Sequence, residues 1–88
     1  MKFRKKPVVI EAMRFTPETL DECVAFSGGN YEYRNSAAGA PFGEVIEITT
    51  LEGVMLAVPG DWIIRGVKGE FYPCRNDIFM ETYEQVLD

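Results

Sequence analysis

The sequence predicts an α+β fold. We expect an antiparallel sheet of five to six strands, formed by an N-terminal strand and a C-terminal four-strand meander, with one packed helix and a short C-terminal helix. Residues 51–83 contain three glycine turns, each followed by a short β-forming segment. Residues 16–29 carry the start and stop signals of a helix. The 88 residues, 47% of them hydrophobic, suit a single domain spanning 1–88.

The first predicted strand covers residues 7–15, which are rich in β-forming side chains. Because both faces of this segment carry apolar residues, we expect an interior strand, at least over its first half. A helix of about ten residues follows, a usual length for a surface helix. Thr16 is its predicted cap, Pro17 suits its first position, and Gly28 and Gly29 end it.

The segment from residue 30 to residue 43 is the least determined by its sequence. Tyr31 and Tyr33 alternate with charged residues, which predicts a short strand. Residues 35–43 are mostly small and turn-forming, so they predict a loop. Two roles stay open for this loop: a plain connection between strands, or a lid over a bound ligand.

The predicted meander consists of strands at residues 45–50, 54–58, 62–65 and 70–74. Gly53 is expected to supply a left-handed conformation in a three-residue hairpin loop. Pro59 and Gly60 fit the second and third positions of a type II turn. After the meander, Asn76 and Asp77 are the predicted cap of the final helix.

The residue types present restrict the chemistry. The chain has no histidine and two cysteines, Cys23 and Cys74. It therefore lacks the commonest metal ligand and general base, and two distant cysteines do not form a structural zinc site on their own. Carboxylates such as Glu47, Asp61 and Glu70 show no spacing that pairs them for catalysis. We therefore predict a protein that is not an enzyme and uses no cofactor or metal, with both cysteines as thiols.

Charge is unevenly distributed along the chain. The formal net charge is −5, but residues 1–7 carry +4, which leaves five basic and fourteen acidic groups, or −9, in residues 8–88. An acidic balance of this size argues against direct binding to nucleic acid. No apolar run approaches the roughly 20 residues that span a bilayer, so we expect no membrane contact and a cytoplasmic location.

Both ends of the chain resemble a known family. Residues 2–12 (KFRKKPVVIEA), 59–64 (PGDWII) and 66–74 (GVKGEFYPC) are similar to a family of small phage and prophage proteins, itself similar to the group named for a Pro-Gly-Asp-Tyr-Gly motif. Trp62 stands here in the place of the tyrosine, and Ile63 in the place of the last glycine. The resemblance implies a phage origin and the cytoplasm of a bacterial host, and it implies no particular chemistry.

A basic and aromatic cluster near the last hairpin is the candidate ligand-binding site: Trp62, Arg65, Lys68, Tyr72 and Arg75. The cations would hold a small anionic ligand, and an aromatic ring would stack on a base. A structural interpretation also stays open. In it, Arg65 pairs with Glu70 across the hairpin, and Trp62 packs in the core.

Three functions from different classes are compatible with these features. The leading hypothesis is a small non-enzymatic phage binding module, a counter-defence protein that sequesters a small host nucleotide-type ligand. The second is an acidic inhibitor that binds a host protein by imitating nucleic acid. The third is a minor structural or assembly component of a phage particle. Because a meander has open edges, self-association into a homo-oligomer is expected to be accessible in each case.

Overall fold

A computed structural model describes residues 1–4, 6–34 and 43–87. These residues form six strands in two antiparallel three-stranded sheets, the first with order β1-β5-β6 and the second with order β2-β3-β4. The predicted α+β class is confirmed, whereas the prediction of one continuous sheet is wrong. The elements are β1 (Glu11–Arg14), a 3-10 turn (Pro17–Thr19), α1 (Leu20–Ser27), β2 (Asn30–Arg34), β3 (Gly43–Thr50), β4 (Gly53–Ala57), β5 (Trp62–Arg65), β6 (Phe71–Cys74) and α2 (Asn76–Thr82).

The turn at residues 58–61 divides the predicted meander between the two sheets. The N–H of Asp61 donates to the carbonyl of Val58 at 3.0 Å, and Gly60 takes the positive φ of 100° expected at the third position of a type II turn. Two further hydrogen bonds join this turn to Phe15, just after β1, at 2.7 and 2.8 Å. These bonds place β5 beside β1. Although β4 and β5 are consecutive in sequence, they therefore lie in different sheets.

The first strand is shorter than its sequence predicts, and it lies at an edge. β1 pairs only with β5, from Glu11 opposite Arg65 to Arg14 opposite Trp62. Because β5 ends at Arg65, where the next hairpin loop begins, residues 7–10 have no strand beside them. Val9 is accordingly 77% exposed. The prediction of an interior strand over residues 7–15 is therefore wrong.

The helix signals in the sequence correspond closely to the structure. The Thr16 hydroxyl accepts the N–H of Thr19 at 3.3 Å, and the Thr19 hydroxyl accepts the N–H of Thr16 at 2.9 Å, which completes a capping box. The 3-10 turn opens the segment and α1 continues it. Gly28 ends α1 in the left-handed conformation, with φ of 67°, and its N–H donates to the carbonyl of Val24. The predicted start and end of this helix are confirmed.

The core lies between the two sheets, with α1 packed against it. Its wholly buried members are Phe15, Cys23, Ile46, Ile48, Ala57 and Ile63. Phe26 on α1 meets Phe71 on β6 edge to face, with ring centroids 5.2 Å apart. Cys23 and Cys74 are both free thiols, and burial raises the pKa of each.

The remaining predicted elements fall partly outside the described residues. The predicted strand around Tyr31 and Tyr33 is confirmed as β2, which pairs with β3. The predicted loop or lid at residues 35–43 lies outside the described residues, apart from Gly43, which begins β3. The predicted cap at Asn76 or Asp77 is wrong, because Arg75 occupies the capping position and α2 begins at Asn76. Neither helix in the described ranges has the length and hydropathy to cross a bilayer.

Candidate functional site

The structure separates the five residues of the predicted site. Directly opposed residues of an antiparallel pair share a face, and Trp62 lies opposite Cys74 while Ile64 lies opposite Tyr72. Trp62 and Tyr72 therefore lie on the same face of the first sheet. Arg65 lies on the other face, because successive residues of a strand alternate. The five side chains do not form one continuous surface.

Trp62 makes structural contacts with α2. Its indole stacks on Phe79, with ring centroids 4.2 Å apart and planes inclined by 7°. The indole N–H donates to the side-chain oxygen of Asn76 at 2.9 Å. Tyr83 extends this aromatic group, its ring centroid lying 5.0 Å from that of Phe79. These contacts hold α2 against the first sheet, so one face of the indole is already covered.

Two of the three predicted cations are held in ion pairs. Arg65 lies 3.7 Å from the carboxylate of Glu11 on β1, and Arg75 lies 3.0 Å from that of Asp77. The predicted pair of Arg65 with Glu70 is therefore wrong. The Glu70 carboxylate turns back over its own loop instead and accepts the backbone N–H of Lys68 at 3.2 Å. It lies so close to Gly66 that a Cβ at that position would overlap it.

A groove between the tips of two hairpins brings Lys68 and Tyr72 together. This hairpin groove has a volume of about 540 Å³. Its apolar lining is Leu51, Met55, Val67, Phe71 and Pro73, and its polar lining is Thr50, Glu52, Lys68, Glu70 and Tyr72. One side comes from the β3–β4 hairpin of the second sheet and the other from the β5–β6 hairpin of the first. The groove therefore depends on how the two sheets pack.

The polar groups of the hairpin groove have distinct electrostatic roles. Lys68 is exposed, and no described carboxylate lies within 4.0 Å of its ammonium group. Burial, followed by the hydrogen bond to Tyr83, raises the pKa of Tyr72 to about 12. The phenol of Tyr72 is therefore neutral at physiological pH and keeps its O–H. The groove thus offers one cation and two carboxylates beside an apolar surface. The Tyr72 hydroxyl lies 3.5 Å from that of Tyr83, on the face of the first sheet opposite Phe71.

The sequence does not predict the β3–β4 side of the groove. Gly53 pairs with Thr50, so the hairpin loop consists of Leu51 and Glu52, one residue fewer than predicted. Leu51 is 80% exposed and Val67, at the tip of the facing hairpin, is 69% exposed. Large apolar residues at two loop tips were the available signal. On their own, however, they do not show that the two loops face each other.

A second groove lies beside α2. It has a volume of about 600 Å³ and runs between residues 8–12 and residues 79–86. Trp62 and Phe79 form part of its wall. Its described lining includes one carboxylate, Glu84, and no cation, so it suits an anion less well than the hairpin groove. Among the described residues, no group of three or more cysteine and carboxylate side chains is arranged to hold a metal ion.

Comparisons with known proteins give no further assignment. No family model matches the chain, and no curated protein or solved structure is significantly similar to it. The resemblance to small phage proteins therefore stays a prediction, and the geometry of the hairpin groove is the basis for a functional proposal.

Proposed function

We propose that this protein is a small non-enzymatic binding module that holds a nucleotide-type ligand in the hairpin groove. The observation that supports this most directly is the position of Lys68, with which no described carboxylate pairs, in a groove of which half the lining residues are apolar. Apolar walls with a few convergent polar groups are typical of sites for small molecules. The groove includes Lys68 and Tyr72 of the predicted site and leaves out Trp62, Arg65 and Arg75.

The size and lining of the groove fit the body of such a ligand. A volume of about 540 Å³ lies inside the usual range of roughly 300–1,000 Å³ for small-molecule sites. Phe71, Met55 and Val67 supply an apolar surface on which the flat face of a base is able to pack. The ribose and phosphate would then lie toward the polar side chains.

The charges of the groove, one ammonium against two carboxylates, favour a ligand with a single phosphate over one with several. Lys68 supplies a single positive charge, while Glu52 and Glu70 also line the groove. Each additional phosphate would gain no further cation and would be repelled by these two carboxylates. We therefore expect a nucleoside monophosphate or cyclic mononucleotide to bind more tightly than the corresponding triphosphate.

Tyr72 lines the groove without adding a negative charge to it. Its hydroxyl lies 3.5 Å from that of Tyr83, beside α2, so Lys68 rather than Tyr72 is the proposed partner of the phosphate. Because its pKa is raised to about 12, Tyr72 stays neutral and does not repel the anion as a phenolate would.

The biological role follows from binding without turnover. A module of this kind would lower the free concentration of the nucleotide that it binds. Because the chain resembles small phage proteins, we propose that this nucleotide is a host signal and that the protein acts in counter-defence. Its capacity would then depend on its affinity and abundance rather than on a reaction rate. Ligand recovered from the complex should accordingly be chemically unchanged.

Thermal unfolding with a ligand panel tests the proposal. A mononucleotide at 100 times its dissociation constant should stabilise the wild-type protein by about 2.7 kcal/mol, and the matching nucleoside should stabilise it less. Lys68→Gln should remove the advantage of the nucleotide over the nucleoside. Lys2→Gln, an exposed lysine that does not line the groove, is the matched control and should bind like the wild type.

Two outcomes would count against the proposal. One is the absence of stabilisation by any mononucleotide at high excess. The other is stabilisation that Lys68→Gln and Lys2→Gln change equally, since that would place the anion outside the groove. In either case the acidic inhibitor and the particle component would become the leading hypotheses.

A further inference from the structure

One edge of the second sheet lacks the features that usually prevent sheets from pairing with each other. Charged side chains and proline on an edge strand discourage such pairing. Among the described strands, β1 and β2 each carry a glutamate and an arginine, and β6 contains Pro73. The remaining edge strand, β4, consists of the uncharged residues Gly-Val-Met-Leu-Ala. Unlike the other three edge strands, β4 therefore has neither a charged side chain nor a proline.

This strand is also exposed. Val54 is 61% exposed and Met55 is 43% exposed, and the two side chains lie on opposite faces of the sheet. In the described part of the chain, β4 is paired with β3 on one side only. From Gly53 to Met55 its other side therefore presents backbone groups, flanked by apolar side chains, to a further strand, whereas Leu56 is half-buried and Ala57 is wholly buried.

We propose that a second copy of this chain occupies the edge, with β4 pairing antiparallel to the same strand of the other copy. A two-fold axis at Met55 places the Met55 residues of the two copies opposite each other. It also places Val54 opposite Leu56 of the partner subunit, and the pairing ends there because Ala57 is wholly buried in each copy. Every opposed pair is then uncharged and apolar, so the strand is complementary to itself.

Charge favours a second copy at this edge over other parts of the surface. Each chain carries a net charge of −5, so two copies repel each other unless their contact surface avoids opposed carboxylates. β4 contains no charged residue. The adjacent acidic residue, Glu52, lies beyond the paired residues in this register, and not opposite its own counterpart.

The dimer would join the two copies of the second sheet into one sheet of six strands. A contact of one five-residue strand from each copy is small beside the roughly 1,200–2,000 Å² of standard protein interfaces. We therefore expect a reversible dimer whose population depends on protein concentration. The inference does not rest on the proposed function. Met55 belongs to both the edge of β4 and the hairpin groove, so the dimer is measured without ligand.

Sedimentation equilibrium over a wide range of protein concentration tests the dimer. The wild-type mass should rise with concentration from 10.0 kDa toward twice that value. Val54→Lys places a charge on the exposed edge, and it should lose the dimer while its circular dichroism stays that of the folded protein. Ile78→Lys, a similarly exposed change on α2, should dimerise like the wild type. A wild type that stays monomeric throughout, or equal masses for all three proteins, would overturn the proposal.

Cysteine cross-linking tests the register independently. In a Cys74→Ser background, Met55→Cys should form a cross-linked dimer on oxidation, because directly opposed residues have Cβ atoms about 4.5–5.5 Å apart. Val54→Cys should form it more slowly, because its counterpart lies on a diagonal at about 7–8 Å. Equal rates for the two variants, or cross-linking of neither, would contradict pairing about Met55.

Discussion

Tyr72 has a distinctive environment among the residues of the hairpin groove. Its hydroxyl lies 3.5 Å from that of Tyr83, which follows α2. Burial is the largest cause of its raised pKa, and the contact with Tyr83 and the nearby charge of Glu70 act in the same direction. Burial, the Tyr83 contact and the charge of Glu70 each disfavour the phenolate, so the phenol of Tyr72 stays protonated in the folded protein. The same contact links β6 to the segment that follows α2.

The pH dependence of unfolding tests this environment. The pKa of Tyr72 is about 12 in the folded protein, above its ordinary value of 10.0. The neutral phenol therefore contributes stability that is fully present below about pH 10 and is lost as the pH rises toward 12. Tyr72→Phe should lose less unfolding free energy across this interval than the wild type, as measured by urea titration at a series of pH values. Tyr33→Phe, at an exposed site, should behave like the wild type, and equal slopes for all three proteins would contradict the assignment.

At the scale of elements, the junction of α1 and β2 is pressed against β3. A Cβ on Gly29 would lie 2.7 Å from both the carbonyl oxygen of Glu47 and the side chain of Ile46. Side chains do not tolerate such distances, and a strand carbonyl held in a sheet does not move aside easily. The absence of a side chain at Gly29 is thus a requirement of packing. The neighbouring Gly28 serves a different purpose, because it supplies the left-handed end of α1.

Gly29→Ala is therefore expected to destabilise the fold. Overpacking of this kind costs about 1–3 kcal/mol, measured as the unfolding free energy from a urea titration. Glu22→Ala, an exposed change on α1, should stay within about 0.5 kcal/mol of the wild type. Wild-type stability in Gly29→Ala would show that the junction does not sit against β3.

The helix ends could be predicted from the sequence, whereas the arrangement of the sheets could not. The ends of α1 were predictable because Thr16 and Gly28 act on backbone groups within a few residues of themselves. The division into two sheets was not predictable in this way. It depends on hydrogen bonds that join Phe15 to the turn at Gly60 and Asp61, some 45 residues further along the chain. The sequence pattern does not reveal these long-range bonds, and it therefore predicts that the four consecutive strands form one meander.

At the scale of the whole molecule, the difference between contacts local in sequence and contacts distant in sequence also explains which residues of the candidate site are predictable. Lys68 and Tyr72 were predictable because they lie close together in sequence, around one hairpin. Leu51 and Met55 belong to the other sheet, and their position opposite Phe71 follows from the packing of the two sheets. The sequence predicts Trp62 as a ligand-binding residue, whereas in the structure its stacking on Phe79 attaches α2 to the first sheet.

The central claim is that the hairpin groove is the binding site for a nucleotide-type ligand. Two-dimensional amide NMR of the labelled protein, titrated with a nucleoside monophosphate, tests it most directly. We predict saturable shifts concentrated at Leu51, Met55, Lys68 and Tyr72, with little change at Val9, Met80 and Val86 along the second groove. Shifts concentrated along the second groove, or no saturable shift at high ligand excess, would contradict the claim.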